Sequence, residues 1–136
     1  MMRVIKGLLC ISCLMLAACA TQSSLTESLD RSVKAYNRMV RWHELENAVM
    51  TYADTDLREV SLQKAEVLKK QGISITDFRI LSTRYVPEKN TGDVVAEFDY
   101  FMLPSTRVKT VTHRQEWLYL KESKSWKLKN SLPAFE

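Results

Sequence analysis

The stretch DVVAEFDYFML, residues 93–103, alternates between two kinds of side chain. Because successive side chains of a β-strand point to opposite faces of the sheet, this pattern predicts a half-buried strand. One face is strongly apolar and carries Val94, Ala96, Phe98, Tyr100 and Met102. The other face carries Asp93, Val95, Glu97, Asp99 and Phe101. The stretch therefore predicts a sheet with one face packed on a core.

Three further stretches share this period of two. Residues 73–86 are rich in β-branched and aromatic side chains and end before Pro87. Residues 107–121 form a long strand, and residues 125–131 form a short last strand after a hairpin. Connections of hairpin length join neighbouring strands antiparallel. The four stretches therefore predict one four-stranded antiparallel sheet.

Two helices are predicted before the strands. The first begins at a capping box formed by Ser24 and Glu27, and two neighbouring apolar stripes follow it. The stripes are Leu25, Leu29, Val33, Tyr36 and Val40, and then Met39, Trp42, Leu45, Val49 and Tyr52. A single long helix across a curved sheet explains this drift, and a break near residues 41–44 is the alternative.

The second predicted helix begins at another capping box, Asp56 to Glu59, and ends before Gly72. Its apolar residues are Leu57, Val60, Val67 and Leu68. Two N-terminal helices followed by four strands predict an α+β fold, with the helices packed on a curved antiparallel sheet. Residues 24–136 are expected to form this single domain.

The C-terminal pattern W-x-L-x-x-S-L-P-x-F, from Trp126 to Phe135, follows a strand that contains residues 116–120, EWLYL. Together with the two helices, these segments resemble the cystatin-like, nuclear-transport-factor-two-like (SnoaL-like) superfamily. The resemblance implies a cone, in which helices close one end of a curled sheet around a pocket. It also implies two possible roles, since the superfamily includes ketosteroid isomerase and polyketide cyclase relatives as well as non-catalytic modules.

The N-terminal residues have the layout of a secretory signal. Arg3 and Lys6 precede an apolar run over residues 7–16, which is too short for a transmembrane helix of about 20 residues. The sequence Leu16-Ala17-Ala18-Cys19 resembles the lipobox of bacterial lipoproteins. This resemblance implies removal of residues 1–18 and acylation of Cys19, with residues 19–23 as a short tether. An ordinary signal peptide or an uncleaved anchor is the alternative.

Lipidation at Cys19 has consequences for chemistry and location. Cys10 and Cys13 would leave with the signal, so the mature chain would have no free thiol for a disulfide or a thiolate metal site. Ala20 follows the cysteine, and in sorting of the enterobacterial type this implies the outer membrane, facing the periplasm. Removal of Arg3 and Lys6 lowers the formal net charge of +4 by two, so we expect no nucleic-acid partner.

Two carboxylates and a histidine are the weak catalytic candidates. Glu97 and Asp99 share one strand face and could act as acid and base, although a solvated face is the simpler interpretation. His113 lies on the opposite face from Glu116 and is expected to be packed rather than catalytic. His43 and Glu44 diverge by about 100° on a helix, which favours a solvated face beside a buried Trp42.

A pocket inside the cone would be lined by aromatic side chains and one histidine. The expected lining is Trp42, Tyr100, His113, Trp117 and Trp126. We expect no cofactor, and two histidines seventy residues apart match no metal-ligand spacing. No phosphate-binding glycine loop is found in the sequence.

These observations predict a lipid-anchored envelope protein that acts as a non-catalytic binding or assembly module. Its expected partners are the membrane, through Cys19, and an envelope protein or an apolar ligand. A small pocket enzyme of the isomerase or cyclase type is the alternative function, and a purely structural lipoprotein is a third interpretation.

Overall fold

The computed structural model describes the backbone from residue 2 and the side chains of residues 21–136. Three helices come first: α1 (Met2–Arg41), α2 (Leu45–Tyr52) and α3 (Thr55–Lys70). Four strands follow: β1 (Ile73–Val86), β2 (Thr91–Met102), β3 (Lys109–Leu120) and β4 (Ser125–Leu128), with a 3₁₀ turn at Pro87–Lys89 between the first two. The strands form one antiparallel sheet in the order β1-β2-β3-β4. The predicted α+β class is confirmed.

Helix α1 packs through the first predicted stripe, since Leu29, Val33, Tyr36 and Val40 are all buried. The helix ends at Arg41 because His43 adopts a positive φ of 63°, which an α-helix cannot contain. The described residues therefore form three α-helices rather than the two predicted, and the break near residues 41–44, which was the alternative, is present. The capping box at Ser24 and Glu27 was wrong, because α1 runs through both residues without interruption.

Helix α3 differs from the prediction at its start and on its buried face. Asp54 occupies the N-cap, so the capping box at Asp56 was wrong. The buried residues are Ser61, Ala65 and Leu68, whereas Val60 and Val67 are 59% and 51% exposed. Small side chains allow two helices to approach closely, which explains why Ser61 and Ala65 lie at the contact and the larger valines do not. The helix ends before Gly72, whose φ of +68° is the left-handed conformation expected there.

The alternation along β2 is confirmed, because the predicted apolar face is buried from Val94 to Tyr100. Gly92 lies on that face under α1, and a Cβ at this position would come within 2.5 Å of a Leu29 methyl carbon. A glycine is therefore required for the helix to approach the sheet here. Register shifts at residues 76 and 81 insert two bulges in β1, which bend and twist the strand.

Aromatic side chains fill the space between the helices and the sheet. Trp117 contacts Tyr36 and Tyr52 edge to face, with ring centroids 5.6 and 5.7 Å away. Phe135, from the C-terminal tail, packs against Phe98 and Tyr100 at 5.9 and 4.9 Å. The tail therefore completes the core, and the helices and the sheet share one hydrophobic cluster.

Candidate functional site

The carboxylates of Glu97 and Asp99 lie on the outer face of the sheet, away from the helices. Arg79, on the neighbouring strand, places Nη1 2.8 Å from Asp99 and Nη2 3.1 Å from Glu97. Thr110 also donates a hydrogen bond of 2.6 Å to Asp99. The Arg79 guanidinium and the Thr110 hydroxyl hold the pKa of Asp99 below its ordinary value. Asp99 is therefore ionised at neutral pH, and its lone pairs are used in surface contacts.

His113 lies on the inner face, in a buried polar network. Its Nε2 is 3.0 Å from the carbonyl oxygen of Ser131, which can only accept, so this nitrogen carries the proton. Its Nδ1 then accepts from the Gln115 amide at 3.3 Å, and that amide also donates to Asn37 at 2.8 Å. Burial lowers the pKa of His113 to about 4. The neutral imidazole therefore connects the C-terminal tail to helix α1.

The three candidate catalytic groups do not converge. His113 faces the core, whereas Glu97, Asp99 and Glu116 lie on the other face of the sheet. An isomerase-like reaction needs a base and a hydrogen-bond donor aimed at one substrate position. These residues provide no such pair. Among residues 21–136, no group of three or more histidine, cysteine, aspartate or glutamate side chains could hold a metal ion.

His43 has a different place from the solvated helix face that the sequence predicted. Its Nε2 accepts a 3.0 Å hydrogen bond from the backbone N–H of Ile75, and Arg41 donates a 2.6 Å bond to the carbonyl of the same residue. These two side chains cover the free backbone groups at the start of the edge strand β1. Glu44 is exposed at the N-terminus of α2. The covering contact depends on tertiary structure, and no sequence signal indicated it.

The residues that the sequence predicted to line one pocket lie in different parts of the structure. Trp42 is 63% exposed, with the Arg41 guanidinium 4.8 Å above its ring, so the prediction of a buried Trp42 was wrong. Trp117 is fully buried. The Tyr100 hydroxyl exchanges hydrogen bonds of 2.7 and 3.0 Å with the backbone of Glu136. Trp126 donates its indole N–H to Ser28 at 2.8 Å.

Two hollows of about 340 Å³ each lie on the surface of the domain. The outer hollow crosses the outer face of the sheet and includes Arg84, Asp93, Val95, Arg114, Glu116 and Asn130. The helix hollow lies between α1, the end of α2 and the β3–β4 hairpin, and is lined by Ser28, Arg31, Ser32, Ala35, Tyr52, Lys124, Ser125 and Trp126. Sequence analysis missed the helix hollow, since its two cations come from opposite ends of the domain sequence.

The residues that the structure describes contain no helix with the length and apolar character needed to cross a bilayer. Cys19, the predicted lipidation site, and the predicted signal over residues 1–18 lie outside the residues with described side chains.

A solved structure of another protein has a similar fold. The fold is similar to the crystal structure of the intermembrane space region of the chloroplast protein ARC6, with a TM-score of 0.55 and 14% sequence identity. The match covers 82% of this chain and 97% of that one. No protein-family model and no curated protein sequence matches the chain. The class defined is therefore an α+β domain of three helices on an open four-stranded antiparallel sheet, and the cystatin-like resemblance stays a prediction.

Proposed function

We propose that the protein is a lipoprotein, acylated at Cys19 after removal of residues 1–18, whose folded domain is a non-catalytic binding or assembly module. The membrane is the outer membrane, and the domain faces the periplasm. The sequence Leu16-Ala17-Ala18-Cys19 carries this proposal, because small residues before the cysteine suit the signal peptidase of lipoproteins. Several acyl chains, each adding about 0.8 kcal/mol per buried methylene, would make the attachment effectively permanent.

The packing of the interior supports a role without catalysis. Trp117 and Phe98 fill the space between helix and sheet, and His113 is hydrogen-bonded on both ring nitrogens. A catalytic pocket needs polar groups that converge on a substrate. Here His113, Gln115 and Asn37 bind each other and the backbone. The buried Tyr36 hydroxyl has no hydrogen-bond partner among the described residues and no second polar group beside it to form a catalytic pair.

The position of the first packed residue supports a role close to the membrane. Leu29 is fully buried against Gly92, only ten residues after Cys19. Even a fully extended chain spans about 3.5 Å per residue, which limits this distance to roughly 35 Å. A partner or ligand must therefore lie near the lipid surface.

Metabolic labelling with radioactive palmitate tests the anchor. The Cys19→Ala variant should lose all label and accumulate as the unprocessed precursor. Cys13→Ser is the matched control, because this cysteine lies in the predicted leader, and its label should be unchanged. Label retained in Cys19→Ala, or lost in Cys13→Ser, would contradict the assignment.

Membrane fractionation tests the location separately. The native protein should separate with the outer membrane. Ala20→Asp should move it to the inner membrane, if sorting is of the enterobacterial type. A native protein in the soluble fraction would exclude both the anchor and the location.

A further inference from the structure

The helix hollow differs from the outer hollow in the sign of its charges. The outer hollow has two arginines, Arg84 and Arg114, but also two carboxylates, Asp93 and Glu116. The helix hollow is lined by Arg31 and Lys124, and no carboxylate lines it. Two cations in a concave surface without a lining acid attract an anion.

The cations of the helix hollow are available to a ligand. Lys124 forms no ion pair within residues 21–136. Arg31 has one partner, Glu27, at 2.9 Å on the preceding turn of the helix, and both side chains are largely exposed. Exposed pairs of this kind contribute little to stability, so the guanidinium can turn to another anion without a large cost. Glu27 competes with a ligand for Arg31, whereas the neighbouring Asp30 is paired with Lys34.

The walls of the hollow are held in place by the fold. Ser28 accepts the indole N–H of Trp126 at 2.8 Å and donates to the carbonyl of Leu25 at 3.1 Å. This chain of hydrogen bonds fixes α1 to β4. On the same helix face, one turn further along, the partly exposed Ser32 also lines the hollow. Hydroxyl and guanidinium donors together suit the oxygens of a phosphate.

The hollow also lies at the end of the domain nearest the proposed anchor. Ser28 is nine residues after Cys19, and a helix rises about 1.5 Å per residue, which places the two about 14 Å apart along α1. The aromatic rings of Tyr52 and Trp126 line the same hollow. The partly exposed Tyr52, with a polar tip on an apolar body, is suited to the boundary between lipid and water, whereas Trp126 is only 3% exposed and belongs to the core.

We propose that the helix hollow binds the phosphodiester of an anionic lipid headgroup, with Arg31 and Lys124 as its cationic contacts and Ser32 as a hydroxyl donor. This inference rests on the proposed function, since the anchor brings the hollow to the membrane surface. The bound headgroup fixes the orientation of the domain on the bilayer.

NMR titration of the full chain in a nonionic detergent tests the proposal, with the indole N–H signal of Trp126 as the readout. The probe is short-chain phosphatidylglycerol, and the neutral control is the matching phosphatidylcholine. Phosphatidylglycerol should shift the Trp126 signal and leave Trp117 unchanged. Arg31→Gln with Lys124→Gln should weaken binding about 25-fold, since each cation near an anionic lipid surface contributes a factor of about five.

The control variant is Arg84→Gln with Arg114→Gln, which removes the same charge from the outer hollow and should bind as the native protein does. An equal response to phosphatidylcholine, or full binding by the Arg31 and Lys124 variant, would overturn the proposal. An equal response to inorganic phosphate would overturn the lipid assignment and identify a soluble phosphate instead. This titration needs no acyl chain, so its result is independent of whether Cys19 is modified.

Discussion

The two faces of strand β2 differ in what holds their side chains. On the inner face, Val94, Ala96 and Phe98 are buried beneath α1 and the C-terminal tail. On the outer face, Glu97 and Asp99 are held by Arg79 at a partly exposed surface. The apolar face gains free energy from burial, whereas the ion pairs of the outer face are screened by water.

This difference shows where function can lie in the molecule. The inner face is used by packing and by the network around His113, so changes there should act on stability. On the outer face, carboxylates are paired with Arg79 and Arg84 in exposed ion pairs, so changes there should have little effect on stability. The binding role that we propose therefore rests on two features outside these faces, the predicted anchor and the helix hollow.

The largest expected effect is the difference in stability between two variants, one of a buried tryptophan and one of an exposed tryptophan. Trp117→Ala should lower the free energy of unfolding by about 3–5 kcal/mol, because it empties a large buried volume and leaves Gln115 without its indole partner. Trp42→Ala, at an exposed site, should cost at most about 1 kcal/mol, mainly through the lost Arg41 contact. Urea unfolding followed by circular dichroism measures both. Similar losses in the two variants would contradict the description of a packed interior.

The next effect is a loss of stability in mild acid, caused by protonation of the buried His113. The pKa of His113 is about 4 in the folded protein because of burial, against an ordinary value of 6.5. The unfolded chain therefore binds more protons between these two values, so stability should fall as the pH drops from about 6.5 to about 4. The loss amounts to about 3 kcal/mol, and stability should not change with this group above about pH 7.

His113→Gln should remove this part of the pH dependence in urea titrations at successive pH values. His43→Gln is the comparison, since burial and the charge of Arg41 also lower the pKa of this exposed histidine, but its shift is smaller and should account for less of the slope. Asp54 and Asp99, with lowered pKa values, account for further losses in stronger acid. An unchanged slope between pH 6.5 and 4 in His113→Gln would refute the buried neutral imidazole.

The smallest expected effect is on the outer face. Arg79→Gln removes the partner of the Glu97 and Asp99 carboxylates, yet the urea midpoint of unfolding should change little. At high salt, where the ion pairs are screened, the variant and the native protein should have the same midpoint. A loss as large as that of Trp117→Ala would mean that the outer face is covered in the native protein, for instance by a partner.

The sequence predicted the sheet well, because a period of two is a local property. The bounds of β1 and the buried face from Val94 to Tyr100 could be predicted from alternation and turn residues, whereas β2 begins two residues earlier and β4 ends three residues earlier than the sequence predicted. Gly72 also ended its helix as expected. These features depend on neighbours in the chain, so a single sequence contains enough information for them.

The helices were harder, because tertiary contacts decided their ends and faces. Ser61 and Ala65 lie buried while Val60 and Val67 are exposed, which apolarity alone does not indicate. Trp42 was assigned to the interior because it falls on the second apolar stripe, although the helix ends at the turn that contains His43 and Trp42 is exposed there. The helix hollow joins Arg31 to Lys124, more than ninety residues apart, and no local pattern connects them.

Mass spectrometry of the intact protein isolated from membranes tests the central claim most directly. Our account predicts a mature chain that begins at Cys19 and carries a diacylglycerol thioether together with an amide-linked acyl chain. An unmodified amino terminus, or a chain that retains residues 1–18, would contradict it.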